Sequence, residues 1–108
     1  MIKIKQGEDY RKILCLQDAE SQEPIDLTGC TAFSQMRDKP NGSLLATAVC
    51  SIEAETGEVT VFYAGSDLAE IAPGEYGYDV WIVDDQEEKH PIYTTRFVLE
   101  GKYTDNME

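Results

Sequence analysis

The fold is decided by the stretch Glu75-Tyr-Gly-Tyr-Asp-Val-Trp-Ile-Val-Asp84, in which large apolar side chains alternate with a mixed set. One set is Tyr76, Tyr78, Val80 and Ile82, and the other is Gly77, Asp79, Trp81 and Val83. Strict alternation over this length is typical of a β-strand with one buried face. The stretch therefore predicts a long strand whose two faces have different neighbours.

Six other runs show the same period of two and are separated by short turns. They are predicted at Ile2–Lys5, Asp9–Gln17, Thr31–Asp38, Leu44–Glu55, Glu58–Tyr63 and Pro91–Tyr103. In the last run, Phe97, Leu99 and Tyr103 are expected to point inward. One short helical piece is predicted near residues 66–72, with Ser66 or Asp67 as its cap.

About seven short strands in roughly 100 residues are typical of an all-β, immunoglobulin-like sandwich of two antiparallel sheets. A closed barrel is the alternative. The length of 108 residues suits one domain. We expect that domain to span residues 1–104 and the polar tail, 105–108, to be frayed.

Charge and composition exclude several classes of partner. The chain has 9 basic and 21 acidic side chains, a net charge of −12, and a pI of about 4.3. Phosphate binding and anionic membranes both require clustered Lys and Arg, so neither nucleic acid nor membrane is expected. No secretory signal is recognisable at the N-terminus, which predicts a cytoplasmic protein. The three cysteines form no C-x-x-C pair and are expected to be reduced.

Catalytic signatures are missing from the sequence. The only histidine, His90, precedes a proline beside an acidic loop, and Ser66 does not lie in a G-x-S-x-G elbow. We find no glycine-rich phosphate loop. The loop Asp84–Glu88 could attract a cation, but it lacks the alternating ligand pattern of calcium loops. The sequence thus predicts no catalytic residue, no cofactor, no metal and no enzyme activity.

A structural corner is predicted where the short helix meets the long strand. The residues are Asp67, Pro73, Gly74 and Tyr76. Their order resembles a tyrosine corner, in which a Tyr hydroxyl binds nearby backbone. Tyr76 as an ordinary core aromatic is the alternative.

A candidate interaction face follows if the strand at Thr31–Asp38 lies beside the strand at Glu75–Asp84. It would consist of Phe33, Gln35, Arg37, Asp79, Trp81 and Val83. Cross-strand pairs such as Arg37 with Asp79 would then be feasible. An outward Trp and Phe beside an Arg resemble a protein–protein hot spot. The alternative is that a loop or tail covers Trp81, and unpaired edge strands offer a further route to assembly.

A series of short motifs, spread over about residues 6–104, resembles small phage and prophage virion proteins. The motifs are Gly7-Glu-Asp9, Pro24-Ile-Asp-Leu-Thr-Gly29, Gln35-Met-Arg37, Asp67-Leu-Ala, Pro73-Gly-Glu-Tyr76, Tyr78-Asp79-Val80 and Leu99-Glu-Gly101. The likeness is to the N-terminal, immunoglobulin-like domain of phage baseplate upper proteins. These motifs mark strand entries and corners, and none is catalytic.

The resemblance implies a non-enzymatic building block of a tail, baseplate or neck. Such a protein would be made in the bacterial cytoplasm and then enter the virion. It would act by self-association and by docking onto other virion proteins. The alternative is an immunoglobulin-like module that recognises carbohydrate or calcium through the loops at one end of the sandwich.

Overall fold

The computed structural model describes residues 1–104, which form eight strands and one short helix. The strands are β1 (Ile2–Lys5), β2 (Tyr10–Cys15), β3 (Thr31–Arg37), β4 (Leu44–Thr47), β5 (Val49–Glu53), β6 (Glu58–Tyr63), β7 (Gly74–Val83) and β8 (Lys89–Glu100). The helix α1 (Gly65–Leu68) lies between β6 and β7. The predicted frayed tail, 105–108, lies outside the described residues.

The strands form two sheets with a shared core, which confirms the predicted all-β sandwich and excludes the closed barrel. One sheet has five strands in the order β1-β8-β7-β3-β4, and the other has three in the order β2-β6-β5. In residues 1–104 the strand pairs are antiparallel except β1 with β8, where Ile2 lies opposite Phe97 in a parallel register. This parallel pair was not predicted, because alternation shows where strands are and not which strands are neighbours.

The core lies between the sheets and is built from alternate side chains of each strand. Its most deeply buried members are Ile4, Met36, Val59, Val61, Tyr63, Leu68, Val80, Phe97 and Leu99. The predicted inward face of β7 is confirmed, since Tyr78, Val80 and Ile82 are buried. The inward prediction was right for Phe97 and wrong for Tyr103, which is fully exposed because β8 ends at Glu100.

The predicted strand Leu44–Glu55 is divided between the two sheets. β4 pairs with β3, whereas β5 pairs with β6. Ala48 lies at the crossing, where its N–H donates to the Ser34 carbonyl at 3.0 Å. The alternation continues through Cys50 and Ile52, which also pack on the core. The alternation of side chains therefore could not reveal where the chain crosses from one sheet to the other.

The helix is shorter than the predicted span of residues 66–72 and begins earlier, at Gly65. Its N-cap residue is Ala64, and the predicted caps Ser66 and Asp67 lie inside the helix instead. No helix in residues 1–104 is both long enough and apolar enough to cross a bilayer.

The start of the helix is held by a residue from a distant part of the chain. The Gly65 N–H donates to Asp9 Oδ1 at 2.7 Å. A Cβ on Gly65 would lie 2.2 Å from the Gly7 carbonyl oxygen, so only glycine allows this approach. A carboxylate 56 residues away thus supplies the hydrogen bond that local capping would have supplied.

Candidate interaction face

The outer face of the five-stranded sheet brings the two predicted aromatic residues together. Phe33 on β3 lies directly opposite Trp81 on β7, and Gln35 lies directly opposite Asp79. Phe33 is 57% exposed and Trp81 is 37% exposed. Within residues 1–104, the aromatic pair is therefore open to solvent and is not covered by a loop.

Arg37 occupies the end of this face beside the β3–β4 hairpin. The register places Arg37 opposite Gly77, so it does not directly face Asp79 as the sequence had suggested. The Arg37 guanidinium donates to the Gly42 carbonyl at 2.7 Å and to Gln35 Oε1 at 3.0 Å. These two bonds hold the arginine side chain between the hairpin and the centre of the face.

Strand β8 contributes residues that the sequence pattern did not single out. Arg96 lies opposite Gly77, and Thr94 lies opposite Asp79. The Arg96 guanidinium lies 3.9 Å from the Glu75 carboxylate, with both side chains more than half exposed. An exposed pair at this distance contributes little to stability. The outward position of Arg96 was readable from alternation, but its place beside β7 was not.

A groove of about 360 Å³ crosses the face. Five of the six predicted face residues line it: Phe33, Gln35, Arg37, Asp79 and Trp81. The β3–β4 hairpin, at residues 39–41, and the middle of β8, at residues 94–96, form its sides. The sixth residue, Val83, is half-buried opposite Thr31 and is not part of the lining. The volume falls at the lower end of the range for binding pockets, about 300–1,000 Å³.

Positive charge is concentrated in the groove although the chain as a whole is acidic. Of the 9 basic residues in the chain, three line the groove, namely Arg37, Lys39 and Arg96. Asp79 is the one acidic residue among the described lining residues. This local excess of cations favours anionic groups from a ligand or partner.

A buried hydroxyl holds β3 to β7 directly behind the groove. Ser34 is buried between the outward residues Phe33 and Gln35, and its hydroxyl donates to the Asp79 carbonyl at 2.6 Å. Beneath it lies the buried Tyr63 phenol, whose pKa is raised by burial. The outer residues of the face therefore stand on a hydrogen-bonded backbone.

The predicted corner ties β7 to the turn before it. The Tyr76 hydroxyl donates to the carbonyl of Ala72, next to Pro73-Gly74. The Tyr76 ring also packs on Phe97, with ring centroids 6.0 Å apart. Tyr76 thus combines the hydrogen bond of a tyrosine corner with the packing of a core aromatic. Asp67 is exposed on α1.

The acidic loop between β7 and β8 is organised by Asp84. Its Oδ1 accepts the N–H groups of Gln86 and Glu88, each at 2.9 Å, and its Oδ2 lies 2.9 Å from His90 Nε2. The bond from His90 and the backbone bonds lower the pKa of Asp84. Ligand atoms of Asp84, Glu88 and His90 lie within 4.8 Å of one another. Hydrogen bonds that close the hairpin account for the arrangement around Asp84, so it does not by itself indicate a metal.

Comparison with known proteins identifies the fold. No protein-family model matches the chain, and no curated protein matches its sequence. Among solved structures, CopC from Methylosinus trichosporium OB3b is 13% identical with a TM-score of 0.50, covering 98% of this chain and 91% of that chain. The N-terminal domain of ORF48 of phage TP901-1 is 18% identical with a TM-score of 0.50, covering 93% of this chain and 84% of that chain.

At these identities the two likenesses show the fold alone. This chain and a domain of a phage protein therefore have similar folds, which agrees with the phage-related likeness suggested by the motifs. The two structural likenesses do not assign the chain to a particular family of phage proteins.

Proposed function

We propose that this chain is a non-enzymatic structural module of a phage or prophage virion, part of a tail, baseplate or neck. It assembles through protein–protein contacts made by the groove on the five-stranded sheet. The observation that carries this proposal is the exposed pair Phe33 and Trp81, which lie directly opposite each other on β3 and β7.

Folding leaves part of the apolar surface of the groove in water. Phe33 keeps 57% of its surface exposed, and covering apolar surface contributes about 25 cal/mol per Å². Trp and Arg are among the residues that are enriched in interface hot spots. Trp81, Arg37 and Arg96 all line the same groove. A partner that covers it would gain apolar burial and charge-assisted hydrogen bonds together.

The phage context rests on two separate supports. A domain of a phage protein has a similar fold, and the order of short motifs along the chain resembles baseplate upper proteins. A net charge of −12 would keep free copies apart before assembly and favour partners of complementary charge.

The test compares incorporation into particles of wild-type, Trp81→Ala and Ile13→Ala chains. Ile13 is the matched control, because it is 54% exposed but belongs to β2 of the other sheet. We expect the amount of Trp81→Ala chain in purified particles, measured by mass spectrometry, to fall severalfold. The Ile13→Ala chain should be incorporated normally. Normal incorporation of the Trp81→Ala chain would contradict the proposal.

A further inference from the structure

The groove has a cationic end with an open floor. Arg37 on β3 and Arg96 on β8 both lie opposite Gly77 on β7, so the two arginines flank a residue without a side chain. Two strand spacings place their backbones about 10 Å apart. A Cβ on Gly77 would lie 3.1 Å from the Thr95 carbonyl oxygen, so a side chain at this position would crowd the backbone of β8.

Both arginines retain donors for a ligand. A guanidinium has about five N–H donors, and the contacts of Arg37 within the described chain are those to Gly42 and Gln35. Arg96 makes an exposed 3.9 Å contact with Glu75, which water screens strongly. Arginine forks match the geometry of carboxylates. The cationic end can therefore bind a carboxylate with both side chains.

The aromatic end lies four residues further along the same strands. From Gly77 to Trp81 this is about 13 Å at the rise of a β-strand. Between the two ends, Gln35, Asp79 and Thr94 form a polar row across the three strands. The backbone of an extended peptide carries hydrogen-bonding N–H and C=O groups at each residue. The row presents amide, carboxylate and hydroxyl groups as partners for them.

We infer that the groove binds an extended acidic segment of a partner protein. Its carboxylate would lie between Arg37 and Arg96, and a large apolar side chain about four residues away would lie on Phe33 and Trp81. This inference rests on the proposed function and gives the partner its chemistry. A second copy of the chain is a poor occupant, because each copy carries −12 and face-to-face docking would bring the two sets of groove cations together.

The probe is a synthetic peptide in which one aspartate and one tryptophan are separated by three glycines. Binding is followed by NMR chemical shifts of the whole chain, which also report whether each variant is folded. We expect shifts at Gly77, at the Trp81 indole and at the guanidinium groups, with affinity falling as salt is raised. The same peptide with lysine in place of aspartate should bind at least about tenfold more weakly.

Variants of the chain's three arginines distinguish binding in the groove from attraction to positive charge elsewhere on the chain. Arg37→Gln and Arg96→Gln should each weaken binding by about tenfold, the factor for one lost charge-assisted hydrogen bond. Arg11→Gln should not, because Arg11 lies over the Phe62 ring in the other sheet, 4.9 Å from its centroid. Equal binding of the aspartate and lysine peptides, or equal effects of all three variants, would overturn the inference.

Two further outcomes would also overturn the inference. Tighter binding of an oligogalacturonate than of the peptide would make the ligand an acidic carbohydrate. A dimer in light scattering that Trp81→Ala dissociates would make the occupant a second copy. If peptide binding fails but Trp81→Ala still reduces incorporation into particles, the inference fails and the proposed function stands.

Discussion

The hydroxyl of Ser34 lies 2.6 Å from the hydroxyl of Tyr63, and this contact joins the two sheets behind the groove. Ser34 donates its own proton to the Asp79 carbonyl, so Tyr63 must be the donor in the pair. Both side chains are buried. The backbone that carries Phe33 and Gln35 is thereby fixed to the second sheet through β6.

Removing each hydroxyl in turn should have unequal effects on stability. Ser34→Ala leaves the buried Tyr63 O–H without its acceptor, which should lower the free energy of unfolding by about 1–3 kcal/mol. Tyr63→Phe leaves the bond from Ser34 to the Asp79 carbonyl intact, so the loss should be about 0.5–1.5 kcal/mol. Urea unfolding measures both. A larger loss for Tyr63→Phe would show that the donor assignment is wrong.

Two phenylalanines on opposite faces of the five-stranded sheet provide a matched test of what folding needs. Phe97 is 1% exposed and Phe33 is 57% exposed. Phe97→Ala should lower the free energy of unfolding by about 3–5 kcal/mol through the cavity it creates. Phe33→Ala should lower it by about 1 kcal/mol or less, the range of a cross-strand pair. If chemical denaturation showed equal losses of unfolding free energy for the two variants, Phe33 would be a residue that stabilises the fold.

The corner tyrosine should be distinguishable from an exposed one. Tyr76→Phe removes the donor to the Ala72 carbonyl and should cost about 0.5–1.5 kcal/mol of stability. Tyr103→Phe is the control, because Tyr103 is fully exposed. Thermal melting should show a lower midpoint for Tyr76→Phe and no change for Tyr103→Phe. Identical melting midpoints for wild type and Tyr76→Phe would show that the hydrogen bond of the corner does not contribute to stability.

The pKa of Asp84 gives the β7–β8 loop a defined response to acid. Hydrogen bonds hold this pKa below the unfolded value of about 3.9, and the bond from His90 has the largest effect. The stability that the carboxylate contributes is therefore present above about pH 3.9 and is lost as the pH falls through the lower folded pKa.

Carboxyl titration by NMR checks this directly. In wild type, Asp84 should titrate below about pH 3.9, and in His90→Ala its midpoint should rise, because the first cause of the shift is gone. Lys89→Ala leaves the His90 contact in place and should not move the midpoint. An unchanged midpoint in His90→Ala would show that the 2.9 Å contact does not set the pKa.

Alternation predicted faces well where a strand is buried on one side. β7 shows this, since Tyr78 and Ile82 are buried on one face and Trp81, on the other face, is partly exposed. Alternation left the buried face of β6 undecided, because Val59, Val61 and Tyr63 form one face while the aromatic Phe62 lies on the other. There Val61 is buried, while Phe62 lies outward beneath Arg11.

Contacts between distant parts of the chain could not be read from local patterns. Lys12 interrupts the apolar face of β2, and its Nζ lies 5.5 Å from the centroid of the Tyr93 ring in the opposite sheet. Arg96 joins the groove only because β8 pairs with β7. The packing of the two sheets decides the first contact, and the strand order within the five-stranded sheet decides the second. The sequence therefore predicted the aromatic end of the groove, and only the structure revealed the pair of arginines.

Site-specific photo-crosslinking in cells that produce particles tests directly whether the groove contacts another virion protein. A photoreactive phenylalanine analogue replaces Phe33 in one chain and, as the control, Ile13 in another, since both side chains are more than half exposed on different sheets. We expect a crosslink from the Phe33 position to a protein that is also present in purified particles, and none from the Ile13 position. Crosslinks to particle proteins from the Ile13 position alone would contradict this expectation.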